Sequence, residues 1–370
     1  MAPAAFVGCT GFHVKESLHS DPLDWPMAGR TASGTYADSS QTVALPLEER
    51  WDYDLTAGTA QNACIIVDSV LVCGTLRGEL VAVDAATGDE IGTKKISVPV
   101  AGAPAAIGSQ IFFCSEAGKE TVFDYDLRAG EFVWKKNYGG ITASPIIGRV
   151  NNEDRLFIAS LDGSVYALRP GDGEVLWKTK AGAAFTGAPC MLDSMLYCAD
   201  IQGTVYALSA SSGRLRWKKK LEGSVYAGLS ASRGTIYIGS RDHTLYALDA
   251  QTGAVRWTYD TGERIMAAAS VSDSLVIVPS LNGSIAALTP EGRVKWTFSA
   301  KSAVNVPAVI AKNMVIAASL DTYLYALSAS DGSVLWKHSL DARIKTVPVL
   351  WNNSVFVVGD DRTVYRFSAK

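Results

Sequence analysis

The chain has 370 residues, 48% of them hydrophobic, with 34 Lys and Arg against 37 Asp and Glu. A net charge of -3 argues against a nucleic-acid partner, which would favour a basic stripe. No apolar run reaches the 18 or more residues of a membrane-crossing helix.

The first residues, Met1 to Thr10, form a short apolar run ending in Gly8-Cys9. The run resembles the end of a bacterial lipoprotein signal, in which a small residue precedes the Cys that is acylated. A positively charged start and a full apolar core are missing. Cys9 is the candidate lipidation site. The expected location is the periplasmic side of the cell envelope, anchored by lipid to the outer membrane; if the match is chance, the alternative is the cytoplasm. Residues 10–45 are rich in Ser, Thr, Gly, Ala and Asp and follow no repeat. We read 1–45 as an extended leader, with Asp24-Trp25-Pro26-Met27-Ala28-Gly29-Arg30 packing on the domain that fills 46–370.

From there on one pattern recurs: an aromatic-Ala-Leu step, a Gly seven residues after the aromatic, and a Trp four after that. It reads Tyr166/Gly173/Trp177, Tyr206/Gly213/Trp217, Tyr246/Gly253/Trp257 and Tyr325/Gly332/Trp336, with weaker copies at Phe123/Gly130/Trp134 and Ala286/Gly292/Trp296. In the Val81/Gly88 copy, Gly92 stands where Trp is due. Each unit of about 40 residues splits into four runs of apolar and β-branched residues separated by Asp, Asn, Ser and Gly turns, with no helical period. Four antiparallel strands per unit make a propeller blade, and such units bury their apolar faces only against neighbours.

Three-strand sets begin near Ala63, Pro104, Pro145, Pro189, Gly228, Ala268, Pro307 and Pro348, which makes eight. The last has no fourth strand, because its Trp would fall beyond Lys370. Residues 46–55, with Trp51, supply it. The expected fold is an all-β, eight-bladed β-propeller of four-stranded antiparallel blades, closed by an N-terminal strand that removes two open edges. The structural docking residues are Trp51, Trp134, Trp177, Trp217, Trp257, Trp296 and Trp336, each wedged between sheets. Burying a Trp removes about 150–250 Å² from water, roughly 4–6 kcal/mol before entropy costs. The seam beside Gly92 should be the weakest unless another side chain fills it.

Cys73, Cys114 and Cys198 share a position that other units fill with Ile or Val, which marks a buried packing site. If Asp68-Ser69 is a two-residue turn, Cys64 lies opposite Cys73; two thiols are expected there, since directly opposed strand pairs are not especially good disulfide geometry. Cys190 and Cys198 miss that register by one. The Lys runs at 135–136 and 218–220 read as charged edge strands that discourage sheet-to-sheet pairing.

The segment Ala247-Leu248-Asp249-Ala250-Gln251-Thr252-Gly253-Ala254-Val255-Arg256-Trp257 resembles the tryptophan-docking repeat of pyrroloquinoline-quinone (PQQ) type propellers, and the leader's Trp25-Pro26-x-x-Gly29-Arg30 is similar to the start of PQQ-like repeat proteins. The resemblance covers about 46–370. It implies one of two roles: quinoprotein dehydrogenases, which hold PQQ and Ca²⁺ in the channel, or non-enzymatic BamB-like lipoproteins of outer-membrane assembly. The enzyme branch implies large insertions, often an adjacent Cys pair, and Glu, Asn and Asp ligands for Ca²⁺. Here the repeat steps stay between 39 and 43, no Cys-Cys occurs, and no ligand motif matches. Turn carboxylates (Asp162, Asp242, Asp321, Asp360, Asp361) are explained by the turns. His13, His19, His243 and His338 form no metal spacing, and Gly228-Leu229-Ser230-Ala231-Ser232 lacks the second Gly of a nucleophile elbow. No enzyme activity, cofactor or metal is expected.

Loops leaving the fourth strand and loops joining the second and third strands share one face. That face offers Arg77, Arg241, Arg264, Lys301, Arg343, Lys345, Asp360 and Asp361, with Asn305 and Thr346 reaching the channel. Arg264, Lys301, Arg343 and Lys345, from consecutive blades, form an expected basic lip; solvated loop charges are the plain alternative. Two functions stand: a monomeric, BamB-like scaffold binding protein partners, among them outer-membrane assembly components, or a vestigial quinoprotein holding a small anion.

Overall fold

The structure, a computed structural model, describes Val14 and residues 21–370. Cys9, His13 and His19 lie outside the described residues. Eight sheets form the ring. Blade 1 comprises Thr59–Val67, Val70–Thr75, Glu79–Asp84 and Glu90–Lys95; blade 4 comprises Cys190–Leu192, Met195–Ala199, Thr204–Ser209 and Leu215–Lys220. Blades 2, 3, 5, 6 and 7 repeat that antiparallel order. In blade 8, Val349–Trp351, Ser354–Val358 and Thr363–Ala369 are completed by Leu47–Asp54. Trp51 pairs with Arg366 and Asp54 with Thr363, so the N-terminal strand closes the ring as the sequence predicts.

The strand pattern follows from burial. The two middle strands of a blade lie between neighbouring sheets and are almost wholly buried, as in Thr235–Gly239. The outermost strand alternates, as in Val255–Asp260, because one of its faces meets solvent. One residue bulges out just before the docking position in all eight blades, including Arg50 before Trp51 and Ile91 before Gly92. The bulge adds local twist at the place where the Trp meets the next blade.

The docking itself runs between repeats. A Cβ added to Gly173 would lie 2.8 Å from Trp134, and one on Gly213 2.4 Å from Trp177; Gly253, Gly292, Gly332 and Gly88 meet Trp217, Trp257, Trp296 and Trp51 likewise. The glycine that receives a Trp therefore belongs to the following blade, not to the Trp's own unit. The indole N–H donates to a carbonyl of the same turn: Trp134 to Pro170, Trp177 to Ala210, Trp217 to Ala250, Trp257 to Pro290 and Trp296 to Ala329. In blades 3, 4 and 5 the ring also reaches over an Ala of its own blade to an aromatic two strands away: Phe157–Ala167–Trp177, Tyr197–Ala207–Trp217 and Tyr237–Ala247–Trp257. Trp336 faces the chain end and contacts His338 and Phe367 instead.

The seam at Gly92 is filled from the other side. Blade 1 presents Val72, Ala82 and Gly92 in the aromatic-Ala-Trp register. Facing it, blade 2 carries Phe113, Phe123, Tyr125 and Phe132 in mutual ring contact, where other blades place Ile, Tyr, Leu and Val. Lys94 of blade 1 lies over the Tyr125 and Phe132 rings. Volume removed from one sheet is returned by its neighbour.

Two expectations about cysteines divide. Cys190 pairs with Tyr197 rather than Cys198, and Cys114, Cys190 and Cys198 are free and buried. Cys64 and Cys73, expected as thiols, form a disulfide. Asp68 and Ser69, with φ of 45° and 64°, make the two-residue turn that puts the cysteines opposite one another. Their Cα atoms are 4.2 Å apart, the close approach of a non-hydrogen-bonded strand pair.

The leader is built into the ring. Trp25 bonds reciprocally with Ile66, and Pro26, Ala32, Ser33, Thr35 and Tyr36 offer carbonyls to Ala106, Met191, Ala231, Val271 and Ile310. These acceptors satisfy inner strands of six blades. Ala37–Asp38 adds a fifth, parallel strand to blade 7. Arg30 pairs at 3.0 Å with the buried Asp38.

Candidate binding face and channel

The leader crosses one end of the channel, and Tyr36, 3% exposed, forms its floor. Above lies a cavity of about 210 Å³ that opens towards the loops joining consecutive blades. Four residues before the first aromatic-facing residue of each inner strand, one register position recurs in every blade: Gln61, Ala101, Thr142, Thr186, Tyr226, Met266, Asn305 and Lys345. Six of these line the cavity, with the small residues Ala60, Gly102, Ala188, Ala227, Gly228, Ala267 and Ala268 below them. Thr142 Oγ1, Thr186 Oγ1 and Asn305 Oδ1 are buried without a protein partner. The cavity itself is thus uncharged, with polar side chains at Gln61, Asn62, Thr142, Thr186 and Tyr226. Asn305 and Lys345 were expected on this face from the sequence; the other six collar positions escaped it because their residues differ from blade to blade.

The four expected lip residues all lie on this face, but the structure does not merge them. Arg343 and Lys345 both hold Asp360, at 2.6 Å each, which keeps that carboxyl below its ordinary range against its partial burial. Arg264 pairs at 2.9 Å with Glu263. Lys301 sits 6.0 Å over the Tyr323 ring, while its backbone N–H donates to Asp321. Local carboxylates offset much of the positive charge. Thr346, expected to reach the channel, turns into blade 8 instead: its hydroxyl accepts from the Val358 N–H and donates to the Val358 carbonyl. Other turn carboxylates serve the fold: Asp242, Asp321 and Asp361 accept the hydroxyls of Tyr246, Tyr325 and Tyr365.

A PQQ and Ca²⁺ pair is the group this architecture brings to mind. The quinone is a tricarboxylate and needs cationic or N–H-rich surroundings, and Ca²⁺ needs six to eight oxygen ligands including carboxylates. The cavity lining contains no charged side chain, and among the described residues no cluster of three metal-ligating side chains occurs. The residues present do not fit that group. Titratable groups within the sheets are explained by packing. Asp124 stands where six other blades place Ala and blade 8 places Arg366; burial raises its pKa to about 7 against a hydrogen bond from Gln110.

No curated protein matches the chain. Among solved structures, BamB from Moraxella catarrhalis is 16% identical with a TM-score of 0.71, covering 88% of this chain and 98% of that one. A europium-containing methanol dehydrogenase is 12% identical with a TM-score of 0.78, covering 94% and 98%. The computationally designed Ika8 protein is 18% identical with a TM-score of 0.74, covering 85% and 98%. At these identities the likenesses show the fold alone, and they span both roles. The sequence profile described as outer membrane protein assembly factor BamB matches over residues 46–148, 118–221, 201–306 and 281–370, and the chain therefore belongs to this family of PQQ-like repeat propellers.

Proposed function

We propose that this protein is a non-catalytic scaffold of the cell envelope that binds partner proteins in outer-membrane protein assembly. The observation that carries the reading is the uncharged channel inside a complete ring: the fold is shared with quinoprotein dehydrogenases, but among the described residues the cavity lining has no charged side chain and no metal-ligating cluster occurs. What remains is a rigid scaffold presenting loops, the usual location of binding residues. Partner contact is assigned to the face around the collar, with Arg264, Lys301, Arg343 and Lys345 steering acidic loops. The Cys64–Cys73 disulfide supports export, because such bonds persist in oxidising compartments such as the periplasm. Anchoring through Cys9 belongs to the same proposal.

Titration with PQQ and Ca²⁺, followed by absorbance and by dye-linked alcohol or sugar oxidation, tests the non-catalytic half. The expected result is no saturable binding and no turnover. Robust oxidation would overturn it.

A further inference from the structure

The outer rim of the ring is electrostatically lopsided. The outermost strand of blade 4, Leu215–Lys220, carries Arg216, Lys218, Lys219 and Lys220 and no acidic residue. The outermost strand of blade 8, Leu47–Asp54, carries Glu48, Glu49, Asp52 and Asp54 against Arg50 alone. In a ring of eight these two blades stand opposite each other. The strand of blade 3, Val175–Lys180, adds Lys178 and Lys180 on blade 4's flank. Among the described residues, no ion pair involves any basic residue of the blade 4 strand. Discouraging edge pairing needs one or two lysines, not a cluster of four on one side of an acidic protein.

We propose that the blade 3–4 rim rests on an anionic phospholipid surface, orienting the propeller edge-on with blade 8 turned away. This rests on the envelope reading above. Three observations favour a bilayer over an acidic polypeptide. The charge spans outer strands of separate sheets, which one added strand could not follow. Val175, Leu176 and Leu215 are exposed at 42%, 37% and 44%, as are their counterparts on other blades, but here they lie among clustered cations, the mixture of aliphatic and basic side chains that suits a headgroup boundary. Val14 is held on the blade adjoining this rim: it donates its N–H to Leu127 at the end of blade 2's third strand. Cys9 lies five residues upstream, within about 18 Å of that point at full extension. A lipid chain and a basic patch together are the two signals that stable anchoring takes.

Sedimentation of the unacylated full chain with vesicles tests this. Binding should be strong to phosphatidylglycerol-rich vesicles, weak to pure phosphatidylcholine, and lost on adding salt. The Arg216→Glu/Lys218→Glu/Lys220→Glu variant should bind at least about tenfold more weakly, since each basic group near such a surface changes partition about fivefold. A Lys295→Glu/Lys337→Glu variant on blades 6 and 7 should bind nearly as wild type. If the triple variant melts early, single Lys218→Gln and Lys220→Gln changes must each still weaken binding. Equal binding by the triple variant, equal binding to neutral vesicles, or polyglutamate captured in preference to vesicles would overturn the proposal, the last assigning the rim to an acidic polypeptide. None of these failures touches the scaffold reading, which is read from proteins that co-purify.

Discussion

Replacing Gly253 by Ala tests whether the blades are held by close docking or merely by general apolar burial. Gly253 has φ of 71°, and a Cβ there would lie 2.7 Å from Trp217 Cε3 and 3.0 Å from Cδ2. Two costs add. An Ala in the left-handed region costs about 1–2 kcal/mol, and forcing a methyl into a packed ring costs about 1–3 kcal/mol more. Gly234 separates them, because its φ is 70° but its Cβ would meet nothing nearer than Arg256 Nη2 at 3.6 Å. Gly171, with open space around it, provides the baseline. In urea unfolding followed by circular dichroism, Gly171→Ala should be near neutral, Gly234→Ala should lose about 1–2 kcal/mol, and Gly253→Ala should lose about 2–5 kcal/mol. Adding Trp217→Ala should remove most of the difference between Gly253→Ala and Gly234→Ala, because the clash has gone. Equal losses for Gly253→Ala and Gly234→Ala would refute the docking argument.

Deleting residues up to Asp54 should leave a soluble protein with a markedly lower melting temperature, since it opens the ring at Thr363–Ala369 and strips carbonyl partners from six inner strands; an unchanged melting curve would contradict closure. Phe132→Ala should cost about 2–3 kcal/mol, toward the low end for a Phe truncation because the ring is partly exposed, and should speed hydrogen exchange beside Gly92; without that change, exchange there should match the strands flanking Trp217. Burial holds the Asp124 pKa near 7, so the folded state binds a proton that the unfolded chain releases near pH 4, and stability falls as pH rises between those values. Asp124→Asn should therefore narrow the stability difference between pH 5 and pH 8, measured by urea midpoints. Replacing Arg264, Arg343 and Lys345 with Ala should weaken partner capture at a stability cost of about 0.5–2 kcal/mol, the worth of the ion pairs with Glu263 and Asp360; salt-insensitive capture by the triple variant would move the site elsewhere.

Architecture was legible because propeller packing is periodic. A Trp and a receiving Gly recur at most seams, and Trp51 advertised the closing strand by its spacing alone. What escaped were features set by neighbours rather than by the repeat. The Gly92 seam reads as a gap along its own strand, and only the opposed sheet shows that Phe113, Phe123, Tyr125 and Phe132 occupy it. The Cys64–Cys73 bond depended on strand spacing that composition does not report. Lip residues could be placed on a face, but their pairing with Asp360 and Glu263 depended on side-chain direction. Most of the collar around the channel was invisible because Gln61, Thr142, Tyr226 and Met266 share a position and no chemistry.

Isolation of the native protein from its own cells, with the co-eluting proteins identified by mass spectrometry, tests the central claim most directly. The scaffold account predicts that outer-membrane assembly proteins accompany it in reproducible proportion and that mild salt reduces their yield. A protein that elutes without assembly proteins and carries a quinone absorbance would contradict it.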